Sequence, residues 1–193
     1  QKGTIMIPEK ILADYLAYVF AGFWNTGFRK MIVVNGHGQD YVIPLAIHTF
    51  GKKWQVPGMI LYTHFWNCAG EEMFTKEKGG PYDMPFVHAD EVEQSWCLEL
   101  FPEFINMADA IKVEKAPLLP PGHINTSAED GAGPIKWYNA FGSCGMECIC
   151  QPEGVIGDAR MADGKKAEAG VIRTLDYLEK LVNDILEKYP AGT

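Results

Sequence analysis

Ile11, Leu12, Tyr15, Leu16, Val19 and Phe20 recur at the spacing of one face of a helix. Pro8 stands where a first helical turn tolerates a missing N–H, and Gly27 marks the end of that helix. Met31-Ile-Val-Val34 then forms a short continuous apolar run. A run of this length between turn residues predicts a central strand of a parallel sheet, buried on both faces. A second helix is expected over roughly Asp40 to Lys52, with Pro44 confined to its first turn. Met59-Ile-Leu-Tyr62 reads as the next strand. Helix, strand, helix, strand is the alternation of an α/β domain.

The pattern weakens after that. Cys68 to Pro85 is rich in glycine, proline and charge and is expected to be a loop. Asp90 to Leu100 is expected to be helical, and residues 115–150 irregular. Ala162 to Tyr189 has the period of a long amphipathic helix, with Val171, Leu175, Leu178, Leu181, Val182 and Ile185 on one side.

The 193 residues suit one domain with a sizeable core. A net charge of -8 argues against nucleic acid or an anionic membrane as partner, since both need a basic face. No apolar run approaches the ~20 residues of a membrane-spanning helix. Nothing reads as a secretory signal, so the five cysteines are expected to be reduced thiols of a cytoplasmic protein.

Three stretches carry candidate chemistry. The first is Asn35-Gly-His-Gly-Gln-Asp40, just past the first strand. Ligands of open α/β sheets sit beyond the carboxyl ends of the strands. Gly36 and Gly38 allow a sharp turn and close approach of the backbone to a ligand. The imidazole of His37 is a metal ligand or a base there, or simply an exposed turn residue. The second is His88-Ala-Asp-Glu-Val-Glu-Gln-Ser95. Asp90 and Glu93 fit a capping box at a helix start. His88 and Glu93 could also join His37 as nitrogen and oxygen ligands of Zn²⁺ or Mn²⁺. The third is Thr63-His-Phe-Trp-Asn67. There Trp66 is either core or a flat wall for a planar substrate, and His64 is either surface or a support to the site. Cys144, Cys148 and Cys150 lack the second close pair of a structural zinc site and read as small apolar residues. His48 lies among apolar helix residues and reads as structural.

With these stretches in hand, the chain resembles the creatininase (creatinine amidohydrolase) family along nearly its whole length. Gly27-Phe-Arg-Lys30 followed by Val33-Val-Asn-Gly-His-Gly38 is similar to the family's strand and NGHG loop. His88 to Ser95, then Leu98 to Pro102 and Met107-Ala-Asp109, resembles its HAGxxETS, LFP and D element. Gly154-Val-Ile-Gly-Asp158, then Ala162-Asp-Gly-Lys-Lys-Ala167, resembles its approach to the last helix.

The resemblance implies a three-layer α/β/α fold with a mainly parallel central sheet and a hydrolase with two divalent metal ions, Zn and/or Mn. It implies that His37 and Glu93 are metal ligands and that His88 gives a proton or hydrogen bond to the substrate. Trp66, Gly38 and Gln39 would line the substrate, a small and cyclic amide or related carbonyl compound attacked by a metal-activated water. Gln39-Asp40 stands where the family has Gly-Asn. Two other readings stay open: a hydrolase that opens a keto-cyclitol ring, and a non-catalytic subunit of a hydrolase complex. The family's Glu-x-His ligand pair and bridging Asp belong to an N-terminal segment, and no Glu-x-His occurs here. The chain is therefore expected to be the C-terminal part of a single creatininase-like domain. A cleaved segment or second polypeptide would complete it, and the completed protomer would form a homo-oligomer.

Overall fold

A computed structural model describes residues 5, 7–38, 41–113 and 153–192. Gln39, Asp40, His123 and the cysteines at 144, 148 and 150 lie outside the described residues. The chain divides into two compact units, Ile5–Cys68 and the residues from Ala69 onward.

In the first unit, helix α1 (Glu9–Asn25) leads to strand β1 (Lys30–Asn35), helix α2 (Val42–Trp54) and strand β2 (Met59–His64). Ala13, Ala17 and Ala21 repeat every fourth position and are buried, so one face of α1 is smooth. Against it lies the buried face of α2: Val42, Ala46 and Phe50. Phe20 meets Phe50 edge-on with centroids 6.4 Å apart. Pro44 is the third residue of α2, where its missing N–H breaks no helical bond. His48 is exposed on α2, so its expected structural role among apolar neighbours does not hold.

β1 and β2 pair in parallel, from Lys30 beside Met59 to Asn35 beside His64. Among the described residues β2 is the only strand paired with β1. β1 is accordingly half-buried, not buried on both faces as its apolar run suggests.

Residues 68–85 are not a plain loop. The short helix α3 (Phe65–Ala69) ends there, and two 3₁₀ turns follow, Gly70–Met73 and Lys76–Lys78. In the second unit, helix α4 (Glu91–Leu100) packs against helix α5 (Gly164–Lys188). Strands β3 (Lys112–Val113) and β4 (Gly157–Asp158) pair antiparallel. Gly157 has φ +125°, a conformation that favours glycine, and a Cβ there would lie 2.3 Å from Met84 Cε.

α5 starts later and packs differently than its pattern suggests. Asp163 caps it by accepting the Lys165 N–H, and the buried positions are Ala167, Gly170 and Thr174. Leu175 and Val182 are exposed. Length explains the difference. Ten residues of α4 span about 15 Å and twenty-five of α5 about 37 Å, so α4 covers only part of α5.

Gly170 sets the distance between these helices, because a Cβ on it would lie 2.8 Å from Trp96 Cζ2. Gly170→Val is expected to destabilise the fold by about 1–3 kcal/mol through overpacking. Urea denaturation checks this; an unchanged midpoint would show that Trp96 moves aside at no cost.

Candidate active site

The candidate residues fall into both units. In the first, the parallel register brings the carboxyl ends of β1 and β2 side by side. Asn35 is buried at the end of β1. Its Oδ1 accepts the His37 N–H at 3.2 Å, and its Nδ2 donates to the His37 carbonyl at 2.6 Å. The side chain thus closes a turn on its own backbone two residues on. Neither Gly36 nor Gly38 has a positive φ, and a Cβ on either would meet nothing within 4 Å. The turn is made by Asn35, not by glycine freedom as expected. The glycines leave open space around an exposed His37.

On β2, Tyr62 and His64 share a face, since side chains two apart on a strand point the same way. The Tyr62 hydroxyl accepts from Asn35 Nδ2 at 3.1 Å and lies 2.9 Å from His64 Nε2. His64 is buried and stacks on Trp66, with ring centroids 4.2 Å apart and planes 29° apart. Trp66 is half-buried, so it is neither full core nor a bare surface ring.

In the second unit, His88 and Glu93 come together where α4 begins. His88 Nδ1 lies 3.7 Å from Glu93 Oε2, and both side chains are partly exposed. The same Oε2 accepts the Ala89 N–H. Among the described residues no hydrogen bond engages Oε1. Asp90 is the cap: Oδ1 accepts from Val92 N at 2.8 Å and Glu93 N at 3.1 Å, and Oδ2 accepts from Val87 N. The capping box therefore forms with a shift, since Glu93 reaches the N–H before the cap and not the cap's own. Burial pushes the Asp90 carboxyl up to about 6, against the N–H bonds from Val87 and Glu93. Ala89 holds φ 47°, uncommon for a residue with a Cβ.

The next carboxylate faces inward. Glu91 is fully buried and accepts Lys166 Nζ at 2.5 Å, Asp83 N at 2.9 Å and Met84 N at 3.0 Å. Burial works against the charge of Lys166, yet Glu91 and Asp83 hold its pKa above the usual lysine value. Ser95 donates to the Glu91 carbonyl at 2.6 Å and accepts the Asp163 N–H at 3.1 Å. The starts of α4 and α5 are thereby locked together. The His88 carbonyl accepts Ile156 N at 2.9 Å, which ties the histidine's backbone to the stretch before β4.

Among the described residues no three His, Cys, Asp or Glu side chains gather to hold a metal ion. The donor types suit one in kind: in the first unit an imidazole at His37, and in the second a carboxylate at Glu93 whose Oε1 accepts no hydrogen bond among the described residues.

The family model described as creatininase, creatinine amidohydrolase, matches residues 1–182. The chain belongs to the creatininase family. A 3-dehydro-scyllo-inosose hydrolase of Thermotoga maritima is 50% identical over 190 residues, which is 98% of this chain and 61% of that protein. The chain thus spans about three fifths of that relative's length. A glutamine-for-glutamate variant of creatininase complexed with creatine has a TM-score of 0.68 at 16% identity, over 98% of this chain and 69% of the other. A crystal structure of creatinine amidohydrolase has a TM-score of 0.63 at 15% identity, over 98% and 68%. At these identities the solved structures show the creatininase fold, an α/β architecture, with the parallel β1–β2 pair as part of it.

Within this creatininase frame, three supports escape sequence reasoning. Asn35 sits inside the NGHG stretch but draws attention only to its histidine. Glu91 stands among other acids, with nothing to mark it as the inward one. Lys166 is 75 positions from Glu91, and no local pattern joins them.

Glu91→Ala removes the acceptor of the Asp83 and Met84 N–H groups and breaks the buried pair with Lys166, which keeps Asp83 and the Met161 carbonyl. The expected loss is roughly 3 kcal/mol, the lower end for a broken buried pair. Guanidinium unfolding reads it. A loss within error would mean that water replaces the carboxylate.

Proposed function

We propose that the creatininase-family protein to which this chain belongs is a metal-dependent hydrolase that opens the ring of a keto-cyclitol. The observation that carries the reading is the 50% identity, over 98% of this chain, to a 3-dehydro-scyllo-inosose hydrolase. Hydrolysis of a cyclic amide is the second reading, favoured by the family's own description as creatinine amidohydrolase.

His37 and Glu93 are ligands of two divalent cations, Zn or Mn. The remaining ligands lie outside the described residues of this chain. When bound, such ions supply an ionised water near neutral pH and polarise a carbonyl. The chain's own residues do the rest. Asn35 fixes the backbone on which His37 is presented. The Ala89 N–H on Glu93 Oε2 holds that carboxylate in one orientation. Trp66 offers the ring a flat face, and Gly38 and Gln39 are further candidates to line the substrate.

Water adds to the keto carbon, the adjacent ring C–C bond breaks, and the leaving carbon takes up a proton. The net change is addition of one water to give an open-chain acid. His88, held 3.7 Å from Glu93, delivers that proton. Exposed Ile11, Tyr15 and Tyr18 on α1, and Ile172, Leu175 and Leu186 on α5, support assembly into a homo-oligomer.

The native assembly is expected to hold about two metals per completed protomer and to release one acid equivalent per keto-cyclitol in a pH-stat. Chelation abolishes turnover, and Zn or Mn restores it. His88→Gln is expected to lower kcat about 100-fold with metal content unchanged, whereas Glu93→Gln lowers metal content as well. Ammonia or amine release from creatinine-like amides, without acid release from the cyclitol, would favour the second reading. A metal-free native assembly would leave a non-catalytic subunit.

A further inference from the structure

The network on β2 does more than fill space beneath Trp66. Asn67 Nδ2 can only donate, and it lies 3.3 Å from His64 Nδ1. Nδ1 therefore accepts, which places the ring proton on Nε2, directed at the Tyr62 hydroxyl 2.9 Å away. That hydroxyl also accepts from Asn35 Nδ2, whose amide grips the His37 backbone at both N–H and carbonyl. The other asset of His64 is its face, which lies on the Trp66 ring. A buried imidazole thus uses its edge toward one candidate residue and its plane toward another.

We propose that His64 is a positioning residue that sets both the His37 turn, through Tyr62 and Asn35, and the tilt of the Trp66 face. Its importance for catalysis rests on the reading of His37 and Trp66 given above; the mechanical coupling does not. The two assets separate chemically. Phenylalanine keeps a ring to stack and loses the donor. Glutamine keeps an N–H donor and loses the ring.

The test compares His64→Phe, His64→Gln and Tyr62→Phe in the intact protein. Hydrogen exchange of a peptide covering residues 31–38 reads the turn. The Trp66 indole N–H resonance, assigned among five tryptophans with Trp66→Phe, reads the stack. His64→Phe and Tyr62→Phe are expected to speed exchange of the His37 amide about tenfold and leave the indole resonance near its place. His64→Gln is expected to do the reverse.

Equal changes in all three variants, spread over the whole of β1, would reduce His64 to a packing residue and overturn the proposal. So would unchanged exchange in His64→Phe and Tyr62→Phe. Zn²⁺ affinity by chelator competition adds a separate arm: a loss of about tenfold in those two variants is expected if His37 is a ligand. Wild-type protein that binds no Zn²⁺ would sink the metal reading. The exchange and indole results would still decide the role of His64.

Discussion

A backbone that leaves a strand or enters a helix gives up its regular hydrogen bonds, and each freed N–H and carbonyl needs a new partner. Side chains of this protein supply those partners at both places where candidate ligands stand. Asn35 binds the N–H and carbonyl of His37. Asp90 takes the N–H groups of Val87, Val92 and Glu93, and Glu91 takes those of Asp83 and Met84. Without these partners the turns would have to be held by water, and His37 or His88 would lose its defined direction. Geometry at each of the two places is therefore inherited from polar side chains beside the candidate residue.

Register and stacking extend this order along β2. Parallel pairing sets Asn35 beside His64. Tyr62, one pleat back on the same strand, can then reach Asn35 with its hydroxyl while His64 turns its plane to Trp66. A slip of one residue would send all these side chains to the other face. The half-buried strand core and the polar cluster at its end thus depend on the same pairing.

The sequence makes the periodic parts plain. The helical period of α1, the short runs of β1 and β2, and the cap at Asp90 follow from local rules, and the structure has these elements within a few residues, although α1 buries Ala13, Ala17, Phe20 and Ala21 and leaves Ile11 and Tyr15 exposed. The ends of the candidate stretches were legible for the same reason, since His37 and Trp66 lie just past strands and Glu93 in a first helical turn. What escaped is long-range. The apolar side assigned to α5 includes Leu175 and Val182, which a ten-residue α4 is too short to cover. The turn at His37 is made by Asn35, whose role no glycine pattern signals. Lys166 meets Glu91 only because two helix starts are joined through Ser95 and Asp163.

The three acids at the start of α4 show why residue type alone does not give a role. Asp90 sits before the first turn, where a short side chain reaches back to free N–H groups. Glu91 and Glu93 are two positions apart on the helix, about 200° around its axis. One is therefore carried into the interior to meet Lys166, and the other to the partly exposed side beside His88. The inward carboxylate needs a cation and two N–H groups to be tolerated at zero exposure. The outward one keeps an oxygen uncommitted among the described residues, and its charge adds to the burial that raises Asp90. Three like-charged groups in four positions are stable together because each is answered by a different set of donors, and the arrangement of the helix start decides which of them stays partly exposed beside His88.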